Sequence, residues 1–205
     1  MSNERILLES QGNGRLEGRL CRVESATRTA VVAPPHPLYG GCIDNPVVSE
    51  IEAGLQAGGF TTLAFNWRGV GRSEGAASGG STEAVADYLG AAAWLAGEIA
   101  APAAAGGYSF GAAAAVGAVA AGLAVDYLAL VALPPSFLGD VDLASLGVSI
   151  HVVSGELDEI APAGELARVL DPIESARLSV LAGTDHFFAG ASIGRIRELL
   201  VPPAS

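Results

Sequence analysis

The 205-residue sequence contains no lysine; all 11 of its basic residues are arginine. That absence removes a P-loop lysine, a lysine Schiff base, a pyridoxal-phosphate enzyme and a Ser-Lys dyad. Cysteine is nearly as scarce. Cys21 and Cys42 are two thiols only, too few for a disulfide framework in a domain of this size, and they point to a reducing, cytoplasmic compartment. Half of the residues are hydrophobic, yet no apolar run reaches the roughly 18–20 residues of a membrane span. Met1-Ser2-Asn3-Glu4 offers neither the basic n-region nor the apolar h-region of a secretory signal. Basic charge is half the acidic charge, 11 against 22, for a net charge of −11. This argues against nucleic acid and anionic membrane as partners, and the acidity reads as solubility. No Cys/His cluster has ligand spacing, so no metal is expected. No repeat or linker breaks the chain, and residues 1–205 read as one domain with a sizeable core.

What is present is an alternation of short apolar strands and helices. Residues 5–9 and 16–24 read as an N-terminal antiparallel hairpin around a turn at Gln11-Gly12-Asn13-Gly14. Residues 29–33 are a short strand that ends in Pro34-Pro35-His36-Pro37-Leu38-Tyr39-Gly40-Gly41, where Pro and Gly forbid regular structure. Asn45-Pro46 reads as a helix cap followed by proline at the first helical position. Val47, Val48, Ile51 and Leu55 continue at helical spacing until Gly58-Gly59.

Residues 60–66 are the next strand, followed by Gly69-x-Gly71. This pair lacks the third glycine and the following helix of a dinucleotide loop. Residues 82–99 form an amphipathic helix with Ser81 or Thr82 as its cap. Strands follow at 103–106, 126–133, 148–154 and 176–181, with helices at 112–121, 162–170 and 191–200. The pattern implies a mostly parallel sheet of about eight strands covered on both faces, with ligands beyond the carboxyl ends of the strands.

One stretch organises the rest. Gly107-Tyr108-Ser109-Phe110-Gly111 lies between a strand and a helix. Such a turn holds the serine in an unusual backbone conformation with its hydroxyl above the sheet. Strand and helix then crowd together where only glycine fits. The free N–H groups of the following helix favour negative charge there. A serine hydroxyl needs a base, usually His, and that base needs an orienting carboxylate. Of three histidines, His151 lies in the apolar run Ile150-His151-Val152-Val153 and reads as a core residue, while His36 precedes the serine between prolines. Only His186, beside Phe187-Phe188, completes the order Ser, acid, His. Asp158 in Gly155-x-x-Asp158 is the best-placed acid, with Asp140 or Asp142 as alternatives. Glu156 and Glu159 read as solvated, and Asp185 as pointing elsewhere.

Taken in order, five motifs resemble the α/β-hydrolase superfamily, and within it the small lidless bacterial serine hydrolases of the dienelactone-hydrolase-like or esterase group. They are His36-Pro37-Leu38-Tyr39-Gly40-Gly41, Asn66-x-Arg68-Gly69-x-Gly71-x-Ser73, the elbow at Ser109, Gly155-x-x-Asp158 and Asp185-His186-Phe187-Phe188. The resemblance covers nearly the whole chain. It implies that Ser109 attacks an acyl carbonyl, that His186 takes and returns the proton, and that Asp158 holds the imidazole. It implies an oxyanion hole from the backbone N–H of Phe110 and, since Pro37 has none, of Leu38. Arg68 and Ser73 read as scaffold.

Only residues 134–147 separate two strands where many relatives insert a lid. An open site is therefore expected, with a small acyl pocket near Leu38, Tyr39, Phe110 and Phe137 and broad specificity. Much faster cleavage of long-chain than of acetyl or butyryl esters would contradict that picture. The expected partner is a small acyl substrate, with no cofactor and no metal. The triad does not encode the leaving group. A peptidase, thioesterase or acyltransferase, or a non-catalytic binding module on the same fold, are the alternatives.

Overall fold

The computed structural model describes residues 2–10 and 14–202. It comprises β1 (Ser2–Ser10), β2 (Gly14–Arg22), β3 (Arg28–Ala33), α1 (Pro46–Ala57), β4 (Phe60–Phe65), α2 (Ser81–Glu98), β5 (Pro102–Tyr108), α3 (Phe110–Ala120), β6 (Tyr127–Val131), β7 (Ser149–Gly155), α4 (Ala163–Leu170), β8 (Ala176–Leu181) and α5 (Ile193–Leu199). The eight strands form one sheet in the order β1-β2-β4-β3-β5-β6-β7-β8. β1 and β2 are antiparallel to each other, β2 is antiparallel to β4, and the remaining pairs are parallel. β1 is longer than the sequence reading gives, β2 has the expected length but starts and ends two residues earlier, and residues 11–13 of the turn lie outside the described residues.

Parallel strands covered on both faces are apolar along their length, and β4 and β6 are buried at every position. The chain steps from β3 to β4 in one direction and from β4 across β3 to β5 in the other. Right-handed crossovers then place α1 on one face and α2 and α3 on the other. α5 packs on α1, where Gly54 approaches the Arg197 carbonyl and Leu200 too closely to carry a side chain. This reversal of direction opens a crevice beyond the carboxyl ends of β3 and β5, the place where such sheets bind ligands. Among the described residues no helix is long and apolar enough to cross a membrane.

Polar side chains tie the layers together. The buried Tyr88 hydroxyl bridges the backbones of β3 and β5 at Val31 and Gly106. Arg68 makes a paired hydrogen bond to Asp87 of α2. Glu17 accepts from Asn66 Nδ2 and from the Arg72 N–H, while Asn66 Oδ1 accepts from the Ile43 N–H at 2.8 Å. Ser73 Oγ donates to the Asn66 carbonyl at 3.0 Å. The stretch 66–73 is thus a braced turn that fixes the loop after β3.

Asn45 caps α1 as expected, accepting from the Val47 N–H at 2.9 Å. The cap of α2 differs from expectation. Gly80, in extended conformation, precedes the first turn, and no side chain bonds there; Ser78 accepts from the Gly80 N–H instead. The last helix starts later than expected, at Ile193, after a 3-10 turn at Gly190–Ser192.

His151 lies in the core of β7 with Nε2 2.9 Å from Ser179 Oγ. Burial, with Arg177 adding to it, brings its pKa down to about 4. The folded state therefore resists protonation of a ring that the unfolded chain protonates near pH 6.5. Stability should be fully present above about pH 6.5 and fall as pH drops toward 4. Urea midpoints measured across that window should decline in the wild type, and the decline should be clearly shallower in His151→Asn.

Candidate active site

β5 ends at Tyr108, and the chain turns at once into α3. Ser109 at the turn has φ 53° and ψ −115°, a conformation costly for any residue but glycine. Two glycines permit it. A Cβ on Gly107 would lie 2.3 Å from the Gly111 carbonyl, and one on Gly111 would lie 2.4 Å from the Ala33 carbonyl oxygen. The Ser109 N–H donates to the Val131 carbonyl at 2.9 Å, pinning the elbow to β6.

Asp158 lies in the loop after β7, and His186 in the loop after β8. The two loops are braced against each other by the Leu157 N–H on the Thr184 carbonyl at 2.9 Å. Ser109 Oγ is 2.9 Å from His186 Nε2, and His186 Nδ1 is 2.8 Å from Asp158 Oδ2 and 2.9 Å from Oδ1. All three side chains are almost buried, with relative exposures of 9 % for Ser109, 4 % for Asp158 and 7 % for His186. Asp158 Oδ1 also accepts from the N–H groups of Ile160 at 2.9 Å and Ala161 at 2.7 Å. Burial alone pushes the Asp158 carboxyl up. The hydrogen bonds from His186, Ala161 and Ile160 outweigh it and hold the group below the usual carboxylate range.

The other acids lie elsewhere. Asp142 caps a 3-10 turn through the Ala144 N–H, Glu156 accepts from the Gly183 N–H, and Asp185 accepts from the Phe187 N–H. Asp140 and Glu159 are exposed.

The Phe110 N–H at the start of α3 has no hydrogen-bond partner among the described residues. Leu38 differs. Its N–H donates to His36 Nδ1 at 3.2 Å, with His36 capping the 3-10 turn Pro37–Tyr39. The His36 ring packs on Phe110, with centroids 4.6 Å apart, and on Tyr39 at 4.9 Å. Burial lowers its pKa and so favours the neutral ring that this bond requires. An oxyanion held by Leu38 would have to share that N–H with His36 or draw it away.

Two contributors escape sequence reading. One is this capping role of His36. The other is Tyr108, whose buried hydroxyl donates to the His186 carbonyl at 2.8 Å and fixes the histidine loop to β5. The signal for the second was available: a large aromatic directly before the serine, at a strand end, faces the neighbouring strand-end loops.

Phe137 packs edge-on to Phe110 with centroids 6.1 Å apart and is half-exposed. Tyr39 is 88 % exposed. The cavity beside Phe110 and Phe137 is not lined by Leu38 or Tyr39, contrary to the pocket expected from sequence. Leu38 is exposed as well, at 59 %. Among the described residues, no group of three or more His, Cys, Asp and Glu side chains could hold a metal ion.

Proteins of similar sequence and structure are known. No protein-family model matches the chain. It is 30 % identical to an uncharacterized protein of Rickettsia prowazekii, over 85 % of this chain and 78 % of that one. An α/β serine hydrolase homologue from Coxiella burnetii superimposes with a TM-score of 0.86 at 31 % identity, over 98 % of this chain and 97 % of the other. An α/β serine hydrolase without a lid from Xanthomonas campestris gives 0.83 at 27 % identity, over 98 % and 92 %.

Proposed function

The chain belongs to the α/β-hydrolase superfamily, and we propose that within it this protein is a serine hydrolase that cleaves carboxylic esters through an acyl-enzyme. One observation carries the reading above others: the continuous line from Ser109 Oγ through His186 Nε2 and Nδ1 to Asp158, every gap at hydrogen-bond length.

In the first half-reaction Ser109 Oγ bonds to the acyl carbon, and its proton passes to His186 Nε2. The carbonyl π bond opens, and the negative charge on oxygen meets the free Phe110 N–H at the positive end of α3. Each well-aimed donor of this kind contributes about 3–4 kcal/mol at the transition state. Leu38 is the second donor in this reading, at the expense of its bond to His36. As the tetrahedral intermediate collapses, the bond to the leaving oxygen breaks and His186 returns the proton to it. Water then repeats the sequence on the acyl-enzyme, with His186 as base and Ser109 as leaving group. Asp158 stays ionised throughout and stabilises the imidazolium. No step calls on a metal or an organic cofactor.

An ester panel tests this reading. p-Nitrophenyl butanoate should be hydrolysed with burst kinetics, and the matched thioester and anilide should be cleaved more slowly. Faster cleavage of the anilide would replace esterase with peptidase, and preference for the thioester would replace it with thioesterase.

A further inference from the structure

A cleft of about 670 Å³ runs along the surface beside the elbow, between α2, α3 and the connection from β6 to β7. That is the size range of a small-molecule site. Phe110, Ala113 and Gly117 of α3, Val85 of α2, and Phe137 and Val141 of the β6–β7 connection line it. The polar side chains that line it are Ser81, Thr82 and Ser136. Ala113 and Gly117 sit one turn apart on one face of α3 and carry almost no side chain, and Val85 of α2 packs against Gly117. Phe110 to Gly117 spans about 10 Å of helix at about 1.5 Å per residue.

We infer that this cleft holds the acyl chain of the substrate and that the chain it fits is an unbranched aliphatic one of medium length; the inference rests on the serine-hydrolase reading above. Three observations set the occupant. The cleft adjoins the elbow at a single residue, since Phe110 both supplies the free N–H next to Ser109 and lines the cleft. The leaving group must receive its proton from His186 Nε2, so it lies on the histidine side. The loop bearing His186 runs into α5, on the α1 face, and contributes nothing to the cleft. The acyl substituent on the same carbon therefore extends the other way, over Phe110 toward α3. No charged side chain lines the cleft, so its occupant is uncharged along its length. The site is longer than the small acyl pocket expected from the short 134–147 connection. Its length comes from small residues on α3, which that connection does not reveal.

The test is a homologous series of p-nitrophenyl esters. Burying the added methylenes of octanoate on one side only should raise kcat/KM about tenfold over butanoate. In Ala113→Leu, whose side chain would occupy part of the cleft, that ratio should fall to about one. Val141→Trp, which narrows the cleft from the β6–β7 connection, should lower it in the same way and guards against poor folding of the first variant. A wild-type ratio near one overturns the inference, as does a high ratio that neither variant changes. If the gradient appears along the alcohol of alkyl acetates and not along the acyl chain, the acyl assignment is overturned. Failure of the parent reading looks different. There, no ester of any length is cleaved and Ser109 takes no fluorophosphonate adduct. An adduct with a flat chain-length profile removes the cleft assignment alone.

Discussion

Ser109→Ala should lower kcat on p-nitrophenyl butanoate about 10⁶-fold while leaving the melting temperature within a few degrees of wild type. Serine, histidine and acid act as one unit, so losing the nucleophile costs about as much as losing the whole set. What survives is the contribution of binding and of the oxyanion donors, which do not depend on the hydroxyl. The fold should tolerate the change for a local reason. Ser109 Oγ has His186 as its hydrogen-bond partner, while the elbow itself is held by the backbone bond to Val131 and by the tight packing at Gly107 and Gly111. Removing the strained residue's hydroxyl leaves φ 53° in place, and alanine meets the same backbone cost as serine. Steady-state kinetics beside a thermal melt checks both halves of the prediction.

Asp158→Asn should cost about 10⁴-fold in kcat at neutral pH. Oδ1 accepts two backbone N–H groups, from Ile160 and Ala161. An asparagine must turn its oxygen to those donors and its amide nitrogen to His186. That nitrogen donates, so Nδ1 is forced to accept, and the imidazole proton moves to Nε2, the atom that has to take the proton of Ser109. The geometry survives and the tautomer is wrong. In the wild type the hydrogen bonds that hold the Asp158 carboxyl below the usual carboxylate range keep it ionised across the neutral region. A kcat–pH profile of the variant should therefore show a uniform loss between about pH 6 and 8, without recovery at either end. Loss of less than about tenfold would mean that Asp158 does not orient the base.

Much of the order of elements was legible because it rests on short-range chemistry. Asn45-Pro46 starts α1 by supplying a side-chain acceptor and a residue with no N–H to waste, and Val47, Val48, Ile51 and Leu55 then bury one face. The elbow is legible for the same reason: Gly107 and Gly111 are local demands of a turn that leaves no room for Cβ. The cap of α2 is not legible in this way, because Ser81 and Thr82 have the right chemistry whereas the backbone turns one residue earlier, at Gly80. Pattern also says little where selection by burial is weak. Ser2, Asn3 and Glu4 pair with β2 on the edge of the sheet, exposed, so no alternation marks them as strand.

The site divides along the same line. Ser109, Asp158 and His186 stand at strand ends, which sequence order alone can list. The His36–Leu38 bond depends on which way one ring turns, and the cleft over α3 depends on elements that are distant in sequence. Neither leaves a periodic mark. Arg68 and Ser73 read as scaffold from their loop position, and both do brace the chain, through Asp87 and the Asn66 carbonyl.

The central claim is that His186 activates Ser109 as a nucleophile. Intact-mass measurement after treatment with a fluorophosphonate tests it most directly, on wild type beside Ser109→Ala and His186→Ala. The account predicts one adduct per wild-type chain, none on Ser109→Ala, and adduct formation on His186→Ala slowed by several orders of magnitude. A folded wild type that takes no adduct, or an adduct that persists on Ser109→Ala, would contradict it.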